Sequence, residues 1–143
     1  PEDRRMIVSA WNPPLIPQMA LPPCHYEFTV QVIGGKMNLA WSQRSVDCFY
    51  GLPSNIASYA LLLELLAREA NLPAGELTGS LLNCHLYTNT LTEAELIATR
   101  CETQLPKLSF KPSFTSIFDW TYADVELENY NPQSAVTSGA VTV

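Results

Sequence analysis

Phe28, Val30 and Val32 alternate with more polar neighbours up to Gly34-Gly35, and Met37, Leu39 and Trp41 alternate after it. A period of two lines one face of a strand, and a glycine pair tolerates the positive φ of a tight turn, so residues 25–46 predict an antiparallel hairpin. Such a pairing carries the Cys24 end and the Arg44 end to the same edge. Upstream, Arg5-Met6-Ile7-Val8-Ser9-Ala10-Trp11 is a nearly continuous apolar run closed by Asn12-Pro13-Pro14, which predicts a buried strand over Met6 to Ala10. Five of the eleven prolines lie between Pro13 and Pro23, making the approach to Cys24 stiff, extended and poor in backbone donors.

After Pro53-Ser54-Asn55 the period lengthens. Ile56, Tyr59, Ala60, Leu63, Leu66 and Ala67 recur at helical spacing, Glu64, Arg68 and Glu69 fall elsewhere, and Asn71, Pro73 and Gly75 stop the run. This predicts a central, mostly buried helix over Asn55 to Asn71. Residues 77–89 read as strand. Thr92-Glu93-Ala94-Glu95 has the form of a capping box, with Leu91 and Leu96 as its hydrophobic staple, and predicts a short helix to about Gln104. Lys107 to Phe110 and Val125 to Leu127 are strand candidates around an aromatic loop containing Phe114, Phe118, Trp120 and Tyr122, where the lack of interleaved basic residues favours packing over base stacking.

With 143 residues, no internal repeat and no clear linker, the expectation is a single domain, and a start at Pro1 that runs directly into a strand reads as part of something longer. Hydrophobic residues at 47% and charged residues at 15% exclude a disordered acidic tail. A net charge of -6 with eight Lys and Arg argues against a general nucleic-acid binder, since phosphate neutralisation needs many cations. No signal peptide and no long apolar run is visible, so no membrane partner is expected; the reading is cytoplasmic with reduced thiols. The four cysteines have no C-x-x-C spacing, which predicts no metal site. Cys48 and Cys101 read as small hydrophobes, and Cys84 as packing despite its neighbour His85.

The candidate chemistry is Cys24-His25 behind Pro22-Pro23, with Arg44 brought alongside by the hairpin. A thiol attacks only as thiolate, and a guanidinium can hold that negative charge, so Cys24 reads as nucleophile, Arg44 as activator and His25 as an ordering group. Other polar residues keep two readings. Arg4-Arg5 suits a solvated end charge or an anion contact, Asp47 a turn or a ligand contact, and Asn55 a helix N-cap or a base-reading amide.

Blocks in this order resemble the C-terminal half of thymidylate synthase and its pyrimidine hydroxymethylase relatives. They are Arg4-Arg5, Ser9-Ala10-Trp11-Asn12-Pro13, Met19-Ala20-Leu21-Pro22-Pro23-Cys24-His25, Gln43-Arg44-Ser45-Val46-Asp47, Gly51-Leu52-Pro53 with Asn55-Ile56-Ala57-Ser58-Tyr59-Ala60, and His85-Leu86-Tyr87-Thr88-Asn89. Pro106-Lys107-Leu108, Ser116-Ile117-Phe118-Asp119 and Tyr130-Asn131-Pro132 complete the match over nearly the whole chain.

The resemblance implies that Cys24 adds to C6 of dUMP and that C5 then takes a one-carbon unit from 5,10-methylenetetrahydrofolate, with no metal. It makes Arg44, Gln43 and Ser45 substrate contacts, His85 and Tyr87 the ribose pair, and Arg4 and Arg5 phosphate contacts reaching into the partner's site of a homodimer. Asp47, Tyr50, Ser54 and Asn83 fall at folate-contact positions. Asn55 implies uracil over cytosine, because an amide offers a donor and an acceptor to O4 and N3–H, whereas a carboxylate would suit cytosine. The implied fold is α+β, a bent, mostly antiparallel sheet on a long buried helix, with one sheet face forming the dimer. Ser54 in place of an aromatic, Leu81-Leu82 in place of a glycine pair, Asn83 in place of an aspartate and Thr90 in place of a histidine depart from the pattern. They keep open a dUMP 5-hydroxymethyltransferase, and the family's missing N-terminal half keeps open a noncatalytic nucleotide-binding or dimerising remnant.

Overall fold

Period-two alternation becomes two long strands, β2 (His25–Ile33) and β3 (Lys36–Gln43), joined where Gly34 and Gly35 take φ of 58° and 76°. The computed structural model describes residues 3–101, 103–111 and 116–137. Phe114 of the aromatic loop lies outside them. The described chain divides into two compact units, 1–86 and 87–143.

In the first unit, β1 (Ile7–Ser9) pairs antiparallel with β2, β2 with β3, and β3 pairs parallel with β5 (Ala74–Leu81). Between β3 and β5 the chain passes through β4 (Val46–Asp47) and α1 (Gly51–Glu69), and a long crossover of this kind is what parallel neighbours require. A second small ladder pairs β4 parallel with β6 (Cys84–His85). The sheet is therefore mixed, which corrects the mostly antiparallel expectation: alternation reports strands but not the direction of the partner after a helix.

One cross-sheet row, Val8, Phe28, Trp41 and Gly79, faces the helix side; the adjacent row, Ile7, Thr29, Ala40 and Thr78, faces away. The core joins Val30, Met37, Leu39 and Trp41 of the sheet to Tyr59, Leu63 and Ala67, a single stripe of α1 at four-residue intervals. Burying each large apolar side chain contributes about 1.5–3 kcal/mol. Gly79 is needed where it stands, because a Cβ there would come within 2.6 Å of the Trp41 ring.

Three further expectations change. α1 starts four residues earlier than Asn55 and has four buried residues among 19, with Ile56 45% exposed, so it is half-buried and not mostly buried. β1 is not buried: Ile7 and Val8 are 57% and 54% exposed, because a three-residue edge strand has only one neighbour. The strand expected over 77–89 is broken into β5 and β6, with Asn83 between them at φ 49°.

The second unit holds α2 (Leu91–Ala98), which starts one residue before Thr92 and stops short of Gln104. Thr90 occupies the N-cap position without a side-chain cap, its hydroxyl donating instead to the Tyr87 carbonyl at 2.9 Å, so the box at Thr92 does not form. β7 (Lys107–Phe110) and β8 (Val125–Glu128) pair antiparallel as the pattern predicts.

Candidate active site

His25 opposite Gln43 is the last pair of the hairpin, and the residues just beyond it are Cys24 and Arg44. The Arg44 N–H donates to the Cys24 carbonyl at 2.8 Å. Its side chain folds back over the proline segment, Nε donating to the Pro23 carbonyl at 2.9 Å and Nη2 to the Pro22 carbonyl at 2.8 Å. These two bonds aim Nη2 at the Cys24 sulfur, 4.0 Å away. The Trp11 ring lies 6.0 Å from the guanidinium carbon. Because a guanidinium has five donor hydrogens and these bonds use Nε and Nη2, the Nη1 pair remains available to an anion. Half-buried Cys24 thus sits under a cation fixed by two carbonyls.

His25 is positioned from the core. Its Nδ1 is 3.0 Å from the Tyr59 hydroxyl, and its ring meets the Tyr59 ring edge-on at 5.6 Å. Tyr59 stacks on Trp41, centroids 5.1 Å apart and ring planes nearly parallel. Burial pushes the Tyr59 hydroxyl above its ordinary range, keeping it a neutral hydrogen-bonding group.

Gln43 is 2% exposed and links the core to the helix. The Trp41 indole N–H, which can only donate, bonds Gln43 Oε1 at 3.3 Å; Gln43 Nε2 must then donate, and does so to the Ser45 carbonyl at 3.0 Å and to Asn55 Oδ1 at 3.1 Å. The chain of donors fixes the Asn55 amide with its oxygen toward Gln43 and leaves its NH₂ as an outward donor. Asn55 lies in the first turns of α1, not at its cap, so the capping role is set aside.

A second group follows β4 and β6. The Asp47 carboxylate accepts the Phe49 and Tyr50 N–H groups at 3.0 and 3.3 Å, closing the turn into α1, and each oxygen keeps acceptor capacity. Opposite Asp47 stands His85, whose Nδ1 lies 2.8 Å from the Asn83 carbonyl. The Ser54 hydroxyl donates back to the Tyr50 carbonyl at 3.0 Å and is exposed, and Tyr50 packs edge-on against Phe49 at 4.4 Å. Tyr87 belongs to the second unit. Arg4 is exposed, and Arg5 is paired with Asp3 at 3.0 Å. The first unit therefore joins Cys24, His25, Gln43, Arg44, Ser45 and Asn55 by short contacts, and Asp47, Tyr50, Ser54, Asn83 and His85 by others.

A cavity of about 430 Å³ opens beside the hairpin edge, lined by Ser9, Trp11, Tyr26, Glu27, Arg44 and Leu82. Sequence reasoning passed over Tyr59, Trp41 and Trp11 as site-building residues. The one available signal was spacing: Trp41 and Gln43 are two apart on a strand and so share a face.

Comparison with known proteins bears on this site. A family model described as thymidylate synthase matches residues 1–142. Curated proteins named thymidylate synthase from Listeria monocytogenes serotype 4a (strain HCC23) and from Listeria innocua serovar 6a (strain ATCC BAA-680 / CLIP 11262) are each 47% identical over 136 residues, 95% of this chain and 43% of theirs. The chain thus spans less than half the length of these relatives.

Proposed function

Because this chain belongs to the thymidylate synthase family, we propose that it serves the transfer of a one-carbon unit from 5,10-methylenetetrahydrofolate to C5 of dUMP, giving dTMP. Residues 1–143 act in this reading as one domain, the C-terminal portion of such an enzyme, working in the cytoplasm. The observation that carries it is the 4.0 Å approach of Arg44 Nη2 to Cys24 Sγ, with Arg44 also lining a cavity. Cys24 adds to C6, and the electron pair displaced from the C5–C6 double bond makes C5 nucleophilic; covalent attachment splits one hard step into easier ones. Arg44 offers positive charge at the sulfur and its Nη1 hydrogens to the nucleotide phosphate, with Ser45 adding a donor. His25, held by Tyr59, orders water and protons around the base. Asn55, set by Gln43, reads O4 and N3–H. His85 and Tyr87 take the ribose hydroxyl, and Arg4 and Arg5 the phosphate held by a second copy.

The folate supplies the one-carbon unit and the reducing hydride. The donor set fits it: Asp47 retains acceptor capacity on both oxygens for the ring N–H groups of a pterin, with Tyr50 and Asn83 nearby in sequence and in the β4–β6 ladder. The row Ile7, Thr29, Ala40 and Thr78, uncharged and on the face away from the helix, supports dimerisation through the sheet.

One observation favours a second product. The Ser54 hydroxyl is turned onto the Tyr50 carbonyl and presents no aromatic surface to a folate, so water has less to exclude it from the methylene carried on C5. Hydration there yields 5-hydroxymethyl-dUMP. Product analysis with dUMP and methylenetetrahydrofolate decides: dTMP together with dihydrofolate supports the synthase, and 5-hydroxymethyl-dUMP without dihydrofolate overturns it in favour of the hydroxymethyltransferase. Calorimetry with dUMP separates both from a dimerising remnant that has lost the nucleotide site. Binding that requires the phosphate and is lost in Arg44→Ala supports a working site, and no binding at millimolar dUMP contradicts it.

A further inference from the structure

All four cysteines are free thiols, and two of them, Cys84 in β6 and Cys48 just past the end of β4, lie at one strand pair away from the Cys24–Arg44 corner. In the parallel ladder of β4 and β6, Val46 lies opposite Cys84 and Asp47 opposite His85, and the Cys48 N–H donates to the His85 carbonyl at 2.9 Å. Cys48 lies one residue past β4, but its N–H bond to His85 repeats the Val46 N–H bond to Asn83 two residues on, so the ladder pattern continues through it and sets it on the face of Val46 and Cys84, diagonally across from Cys84. The Cys48 thiol bends back along its own strand toward the Val46 carbonyl, 3.8 Å away, and so toward the level of Cys84. Burial first, and then the Cys84 thiol, push Cys48 above its ordinary range. Cys84 is exposed and Cys48 half-buried.

We propose that Cys48 and Cys84 form a dithiol modification site, closed to an intrachain disulfide by small-molecule disulfides. The exposed Cys84 thiolate attacks one sulfur of the reagent: a Cys84–reagent S–S bond forms, the reagent's own S–S bond breaks, and one thiolate leaves and takes up a proton. Cys48, protonated at rest and close by, then loses its proton and attacks the Cys84 sulfur. The new Cys48–Cys84 bond displaces the second reagent thiolate. Two cysteine thiols have been oxidised by two electrons, and one disulfide has been reduced to two thiols. The bridge ties together the backbone on either side of Asp47 and His85.

Oxidised glutathione added to the native full chain tests this. After acid quenching and alkylation, Cys48 and Cys84 should both be blocked to the alkylating reagent with no glutathione on either, where the untreated chain takes the label at both. Trypsin cuts at Arg68, between the two cysteines, so the digest should contain one linked peptide pair joining the segment with Cys48 to the segment with Cys84. The Cys48→Ser chain should stop at glutathione on Cys84, and the Cys84→Ser chain should keep Cys48 free. Glutathione retained on Cys84 of the unsubstituted chain, no modification at all, or a bridge between any other pair overturns the proposal.

Discussion

Asn55 is held by a one-way chain of hydrogen bonds from the Trp41 indole through Gln43, so the polarity of its outward edge is determined inside the protein. Asn55→Asp tests that arrangement cleanly, because a carboxylate still accepts from Gln43 Nε2 and only the outward NH₂ is replaced by an acceptor. Calorimetry should show dUMP binding about 5- to 150-fold weaker, the consequence of an unpaired polar group costing about 1–3 kcal/mol, with preference moving toward dCMP; an unchanged ratio contradicts the assigned role. At this scale the sequence was informative where chemistry is carried by residue type and hairpin pairing, as for Cys24, His25 and Arg44. The anchors of those residues were hidden. Arg44 is fixed by backbone carbonyls of Pro22 and Pro23, and His25 by a tyrosine 34 residues away, and neither partner can be read before the chain is folded.

Among the elements, α1 binds the sheet through Tyr59, Leu63 and Ala67, and Leu63 is 4% exposed. Leu63→Ala should destabilise the chain by about 2–5 kcal/mol, read as a lower urea midpoint at unchanged slope; a loss below about 0.5 kcal/mol, the level usual for surface substitutions, would deny the stripe its role. In the second unit, the Thr121 hydroxyl and N–H donate to Asp124 at 2.6 and 2.9 Å and hold its carboxyl below the ordinary carboxylate range. A depressed folded value contributes stability above the unfolded value of about 3.9 and loses it as pH falls through the folded value. An NMR titration should therefore place Asp124 below free aspartate, and Thr121→Ala should raise it; an ordinary value in the unsubstituted chain contradicts the Thr121–Asp124 hydrogen bonds. The hairpin, α1 and the β7–β8 pair were legible because periodicity and turn residues agree there. The break between β5 and β6 was not, since it depends on Asn83 taking a positive φ, nor was the parallel pairing of β5, which no local pattern encodes. Thr92 misled because the capping-box spacing occurred two residues inside the position where the chain turns.

For the molecule as a whole, an acidic chain with net charge -6 concentrates one fixed guanidinium at the Cys24 corner, and it exposes an outward sheet row of Ile7, Thr29, Ala40 and Thr78. Sedimentation equilibrium should give twice the chain mass, and Thr29→Arg, which sets like charges against each other across a two-fold interface, should return the monomer. A monomer at every concentration removes the sheet-face dimer. Among the described residues, no helix is long and apolar enough to cross a membrane. In the proposed complex Cys24 faces a uracil nucleotide whose phosphate rests on Arg44. Rates of alkylation at each cysteine, resolved by peptide mass spectrometry in the presence of dUMP, deoxyuridine or dCMP, decide whether it does. Bound dUMP should slow labelling of Cys24 and leave Cys101 unchanged, deoxyuridine and dCMP should protect far less, and Arg44→Ala should abolish the protection. Labelling of Cys24 at the same rate with and without saturating dUMP would contradict it.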